Sequence, residues 1–224
     1  MPPETSVYQL PKLNPNGQSS FPSQPVDLLG VLTRFSLTPS YRYGQWLHRL
    51  TSGKHRQTFK DAAVLVALIE RADGLHVVLT RRAKHLKHHP GQISFPGGRA
   101  EATDADLIDT ARREMFEEVG IHCRREDVIG CLPSLPTISG FNVTPVIAVI
   151  SSTDDVNLDR GEVDSMFEYP LAHLLNDDAI KTISIYRNGE YHPVYAIPYA
   201  SNLIWGTTAM IFRAMKIQIS GHSR

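Results

Sequence analysis

Three glutamates stand close together at Glu114, Glu117 and Glu118, in a segment whose apolar residues recur at helical spacing. Ile108, Ala111, Met115 and Val119 fall at i, i+3, i+7 and i+11, one stripe that would face a sheet. The three glutamates share an adjoining arc of about one third of the helix circumference. Like charges at such spacings cost about 0.2 to 0.5 kcal/mol a pair, and Gln or Lys would form the helix without that cost. A bound cation turns the repulsion into ligation. Oxygen ligands with room for water suit Mg²⁺ or Mn²⁺, which are held by a few carboxylates together with substrate phosphates. Glu114 and Glu118 lie one turn apart and are the expected chief metal ligands, with Glu117 as third ligand or general base. The competing explanation is a solvated charged face paired with Arg112 and Arg113. The loop Phe95-Pro96-Gly97-Gly98 favours chemistry, because its glycines would let backbone N–H groups approach a ligand and turn the chain into a helix start.

Arg81, Arg82, Lys84 and Lys87, with His85, His88 and His89, form a basic cluster that leads directly into Gly97-Gly98. Beside an acidic metal site, such a cluster is expected to bind phosphate, with Arg82, Lys87 and His89 as candidate contacts. Zinc is not expected, since no cysteine or second spaced histidine pair completes a tetrahedral set.

These residues need a scaffold, and the 224-residue chain is of a size for one catalytic domain. With 42% hydrophobic and 21% charged residues it reads as a globular protein. Lys+Arg 23 against Asp+Glu 23 leaves no net charge, which argues against a dedicated nucleic-acid binder and against attraction to an anionic membrane. The longest apolar run, Phe141 to Ile150, contains Pro145 and is far shorter than the roughly 20 residues that span a bilayer. Two cysteines, Cys123 and Cys131, suit a reducing compartment, and without a basic-then-apolar leader the expected location is the cytoplasm.

Six of 15 prolines fall in residues 1–25, read as a flexible leader. Residues 26–60 read as a helical preface, with an amphipathic helix from Val26 to Phe35 and helix again over Gln45 to Leu50. The catalytic domain is placed at 61–220. Strands are predicted at Ala62 to Ile69 and Leu75 to Thr80, turning at Asp73-Gly74, then at Gln92 to Phe95, Val128 to Leu132 and Val143 to Ile150. The acidic helix is predicted over Asp106 to Val119 with Gly120 as its cap, a hairpin at Asn188-Gly189 joins Thr182–Arg187 to Tyr191–Ile197, and a last helix runs from about Ile204 to Ile217. The expectation is a mixed α/β (α+β) domain.

Gly98 followed by Arg113-Glu114-Met115-Phe116-Glu117-Glu118-Val119-Gly120-Ile121 resembles the Nudix box, G-x5-E-x7-R-E-U-x-E-E-x-G-U with U a bulky aliphatic residue. The second half matches throughout. In the first half Asp104 stands where the box has Glu, and the spacing to Arg113 is one residue longer, so the first acid's role falls to Asp104 or Asp106. Upstream, Leu79-Thr80-Arg81-Arg82-Ala83 and Leu86-Lys87-His88-His89-Pro90-Gly91-Gln92-Ile93-Ser94-Phe95-Pro96-Gly97-Gly98 resemble a segment of the coenzyme A diphosphatase branch of the Nudix hydrolases, with Ala83 for the usual Ser and Lys87 for the usual Arg. Weaker resemblance reaches Glu162-Val163, Tyr169-Pro170-Leu171 and Ile204 to Ala209.

The resemblance implies a Nudix fold, a mixed β-sheet sandwiched between helices with a loop-helix-loop. It implies metal-dependent hydrolysis of coenzyme A or its derivatives to 3′,5′-ADP and 4′-phosphopantetheine or the acylated equivalent. It casts Arg113 as the residue that orients the acids, Glu162 as a base or extra ligand, and His89, Gln92, Gly97 and Gly98 as substrate contacts beside Arg82 and Lys87. Glu101 is a further loop acid within reach of a metal. The partner is a small-molecule substrate, and a homodimer stays open. So do two other functions: hydrolysis of ADP-ribose, a dinucleotide or a noncanonical nucleoside triphosphate, and nucleotide sensing without turnover, which the three intact helix acids disfavour.

Overall fold

The strand that organises the molecule is β1 (Lys60–Arg71), whose apolar residues are buried on both sides. Its odd-numbered members Leu65, Ala67 and Ile69 enter one apolar cluster, and Val66 and Leu68 enter another. That is the period-two signature of a strand covered on both faces. β1 pairs antiparallel with β2 (Gly74–Arg82) and parallel with β7 (Phe141–Ile150), and its first half takes β4 (Gly97–Arg99) antiparallel. The large sheet runs β3 (Ile93–Ser94), β2, β1, β7, β5 (Val128–Cys131), with β6 (Leu135–Pro136) on β7 and β8 (Val163–Pro170) on β2. A second sheet has the order β11 (Asn202–Trp205), β10 (Glu190–Tyr199), β9 (Lys181–Arg187).

In this computed structural model residues 26–37, 59–187 and 189–220 are described. The proline-rich leader, the helix expected over Gln45 to Leu50, and Asn188 lie outside the described residues. On one face of the large sheet packs α2 (Leu107–Val119), through Ala111, Met115 and Val119. The other face is covered by α1 (Leu28–Leu37), α3 (Leu171–Leu175) and α4 (Thr207–Ser220), which contribute Val31, Leu174 and Phe212. The sheet is thus sandwiched between helices, as the sequence leads one to expect. No helix among the described residues is long and apolar enough to cross a membrane.

Several elements depart from the sequence reading, among them β6 and α3, which are too short for a periodic signal. Ile204 begins no helix: it pairs with Ile197 in β11, and α4 starts at Thr207 after Gly206. Strand pairing overrides the helical spacing there. β8 carries Asp164, Ser165 and Glu168 and shows no clean alternation, so it gives no periodic signal. β4 is built on Gly97 and Gly98, residues that read as a turn.

The acidic helix begins where expected. Asp106 is its N-cap, accepting from the Asp109 N–H at 2.9 Å. Gly120 ends it at φ 81°, donating to the Phe116 carbonyl at 2.8 Å. The loop before β8 docks on this end, with Asn157 N–H donating to Val119 O at 2.8 Å and Asp159 N–H to Glu118 O at 3.1 Å. A Cβ on Gly120 would lie 2.8 Å from the Asn157 nitrogen. Gly120→Ala therefore meets a left-handed backbone and a backbone clash together, and is expected to cost at least about 1 to 2 kcal/mol. Denaturant unfolding checks this, and an unchanged midpoint contradicts it.

Candidate active site

Glu118 is the least ordinary residue of the site. It sits on the last turn of α2, only 5% exposed, and its Oε2 has no hydrogen-bond partner. Burial pushes its carboxyl up to about 8, offset in part by the Arg82 charge and by a backbone hydrogen bond from Gly97. Arg82 Nη1 stands 4.0 Å from Glu118 Oε1. The three glutamates are thus not one solvated face: Glu118 is enclosed, Glu114 has a largely covered carboxylate, and Glu117 is the exposed one. Glu114 is also pushed up by burial, against the opposing pull of Arg113.

Close backbone approach makes the enclosure. Gly98 pairs with Ala63 in the sheet, and a Cβ there would fall 2.5 Å from the Glu114 carboxylate. Glycine at this position leaves room for a protein carboxylate. Gly97-Gly98 is therefore not a helix start, because β4 runs through both residues and α2 begins only at Leu107.

Arg113 is the hub of the acids. Its Nε and Nη2 donate to Asp104 at 2.9 and 3.0 Å, and its Nη1 donates to Glu114 Oε1 at 2.9 Å and Glu117 Oε2 at 2.8 Å. Asp104 also accepts from Thr110 Oγ1 and from the Glu101 N–H, both at 2.9 Å, and the Arg113 guanidinium holds its carboxyl well below the usual carboxylate range. Of the two acids the sequence left open, Asp104 meets Arg113, while Asp106 caps α2 and pairs with Arg125. Glu101 is exposed and contributes its N–H to Asp104.

Glu114, Glu117 and Glu118 line an open pocket of about 350 Å³ together with Asp159 and Glu162. The last two come from the turn before β8, where Asp159 O accepts from Glu162 N–H at 3.0 Å and Asp159 Oδ1 accepts from Gly161 N–H at 2.8 Å. This turn is held against the basic loop: Ala83 N–H donates to Glu162 O at 2.8 Å, and His85 Nε2 lies 3.0 Å from Gly161 O. Asp159 escaped the sequence reading, and its one signal was the short Asp-rich loop that ends at Glu162.

Five carboxylates on one opening repel an anionic substrate unless cations intervene. Among the described residues, no three Asp, Glu, His or Cys side chains are grouped so as to hold a metal ion by themselves. The unpartnered Glu118 oxygen and the oxygen-only lining fit a hydrated divalent ion shared with a substrate phosphate.

Of the remaining candidates, Arg82 adjoins Glu118. His89 takes φ 54°, and its carbonyl accepts from the Gln92 N–H at 3.2 Å. Lys87 is exposed on the loop.

Residues 59–187 match the NUDIX domain. An uncharacterized Nudix hydrolase, NudL of Salmonella paratyphi B, is 41% identical over 161 residues, which cover 71% of this chain and 83% of the relative. The chain belongs to the Nudix hydrolase family. A solved MutT/nudix family protein from Enterococcus faecalis aligns with TM-score 0.47 at 16% identity, over 87% of this chain and 80% of that one. The Nudix domain of Shewanella oneidensis NrtR, solved with ADP ribose, aligns with TM-score 0.42 at 20% identity, over 57% of this chain and 85% of that one. The Nudix match ends at Arg187, and the packed structure continues through α4.

Burial of Glu118 has a measurable sign. A carboxyl raised in the folded state to about 8 destabilises the metal-free protein increasingly as pH climbs from its unfolded value of about 4.3. In a chelator, Glu118→Gln should melt above the parent at pH 8, with the gap shrinking toward pH 4. Equal melting temperatures at pH 8 would count against the burial.

Proposed function

We propose that this Nudix hydrolase cleaves the diphosphate bond of coenzyme A or a derivative, releasing 3′,5′-ADP and 4′-phosphopantetheine or its acylated form, with Mg²⁺ or Mn²⁺ as cofactor. The observation that supports it is the loop from Arg82 to Gln92, whose residues resemble the coenzyme A diphosphatase segment and whose first arginine stands beside the buried acid of the pocket. The catalytic unit is taken as residues 61–220.

Divalent ions bound at Glu114 and Glu118, with Glu117 as a third ligand, would neutralise the diphosphate and acidify an attacking water. Arg113 holds the Glu114 and Glu117 carboxylates in fixed orientation. Asp159 and Glu162 close the opposite wall of the pocket. Water adds to one phosphorus, the bridging P–O bond breaks, and the departing phosphate keeps the electron pair. The proton of the water passes to a carboxylate, Glu117 or Glu162. Arg82, Lys87, His89 and Gln92 serve the substrate's phosphates, with the Gly97 and Gly98 backbone beside them.

Chromatography with mass detection on coenzyme A, ADP-ribose and a dinucleotide with Mg²⁺ or Mn²⁺ tests this reading. Coenzyme A should yield 3′,5′-ADP and phosphopantetheine as the preferred reaction, and cleavage of ADP-ribose alone overturns it. Glu114→Gln and Glu118→Gln should each lose at least about a hundredfold in kcat, the scale of one lost electrostatic contact to the developing charge. Near-parental turnover in both would remove these residues from the metal site.

A further inference from the structure

The turn that carries Glu162 into the pocket is held more closely than an exposed loop requires. Asn157 N–H donates to the Val119 carbonyl at 2.8 Å and Asp159 N–H to the Glu118 carbonyl at 3.1 Å. The turn is thus attached to the residue whose Oε2 has no hydrogen-bond partner. Asp159 O then accepts from the N–H groups of Glu162 at 3.0 Å and Val163 at 2.8 Å, and Asp159 Oδ1 accepts from Gly161 N–H at 2.8 Å. The last contact closes an Asx turn, in which a side-chain oxygen reaches the N–H two residues on. A Cβ on Gly161 would lie 3.0 Å from that oxygen, so glycine lets the ring close this tightly.

The far side of the turn is fixed by the end of β2. Ala83 N–H donates to Glu162 O at 2.8 Å, and Val163 pairs with Arg82. The register shifts here: Arg81 faces Ser165 and Arg82 faces Val163, which makes Asp164 an extra residue in β8. Its carbonyl accepts from Arg160 Nη1 at 2.6 Å. A bulge beside a site re-aims the side chains that flank it. Gly161, with no side chain to pack, is the joint of greatest backbone freedom between the two anchors, and Asp159 Oδ1 ties its N–H. Asp159 could serve the pocket through its charge, as one more carboxylate for a cation, or through its oxygen, by fixing Glu162. Its Oδ1 is already engaged with the backbone, which favours the second use.

We propose that Asp159 is a positioning residue whose side-chain oxygen, by closing the turn over Gly161, holds Glu162 in place across the pocket from the glutamates of α2. The proposal rests on the reading of Glu162 as base or extra ligand given above. It is independent of which diphosphate is the substrate.

Three substitutions separate the oxygen from the charge. Asp159→Asn keeps the acceptor and removes the charge, Asp159→Glu keeps the charge on a side chain too long for the same ring, and Asp159→Ala keeps neither. Steady-state kinetics of the full chain with Mg²⁺ are read on whichever of coenzyme A, ADP-ribose and a dinucleotide it cleaves. Asp159→Ala and Asp159→Glu should each lose at least about tenfold in kcat with KM held within about twofold, the pattern of a misplaced group that acts in the transition state. Asp159→Asn should recover most of that loss. Glu162→Gln should lose at least as much, and adding Asp159→Ala to it should cost little more, because the two residues act as a unit. Asp159 is exposed and the backbone hydrogen bonds of the turn do not need its side chain, so the variants should melt near the parent. If Asp159→Ala fails to fold, Asp159→Glu against Asp159→Asn carries the comparison. Turnover kept by Asp159→Glu and lost by Asp159→Asn, or losses that multiply in full in the double variant, overturn the positioning role. Near-parental kcat in Glu162→Gln removes Glu162 from the reaction and the positioning role with it. A chain that cleaves ADP-ribose alone, with the expected pattern, keeps the positioning role and loses the coenzyme A reading, and one that cleaves none of the three loses both.

Discussion

A carboxylate removed from water needs a compensating charge, and the arrangement around Glu118 follows from that need. α2 lies on the sheet through Ala111, Met115 and Val119, which leaves Glu118 at the margin of the packed face. β4 and the turn before β8 then close over it. Arg82 approaches one oxygen only to 4.0 Å, and the other oxygen has no hydrogen-bond partner. Protein groups alone do not complete this environment. A divalent ion would, and the proposed reaction is placed at this point of the surface for that reason.

The other acids are managed differently. Arg113 spans Asp104, Glu114 and Glu117, so these three carboxylates share one guanidinium that offsets part of their charge and also anchors the loop before the helix. Glu118 instead faces Arg82. The pocket therefore contains one tightly paired group of acids and one enclosed acid, a difference in electrostatic state produced by two arginines on different elements. The turn from Asp159 to Glu162 completes the wall because Gly120 lets Asn157 pack against the helix end.

Much of this was legible along the chain. α2 announced itself through its apolar stripe and through Gly120 as stop, since both signals are local. β1, β2 and β7 were visible as apolar runs. What failed to show depends on contacts between distant segments. The arc of glutamates gives angular positions on the helix and not what covers them, so the enclosure of Glu118 did not show. Asp104 and Asp106 could not be separated, because the deciding partners, Arg113 and Arg125, are chosen by the fold. Gly97 and Gly98 read as a ligand loop, since composition alone does not tell a glycine that admits a substrate from one that admits Glu114. Asp159 had only its short Asp-rich loop to mark it, because the fold alone carries that loop to the glutamates of α2.

The central claim is that the buried Glu118 carboxylate is a site for a divalent ion. Calorimetric titration of the metal-free protein with Mn²⁺ tests it most directly, in the parent, in Glu118→Gln and in Glu101→Gln. The parent and Glu101→Gln should bind Mn²⁺ alike, because Glu101 lies outside the pocket lining, while Glu118→Gln should lose affinity by at least about tenfold, as expected for loss of a charged ligand. Equal binding by the parent and Glu118→Gln would contradict the account.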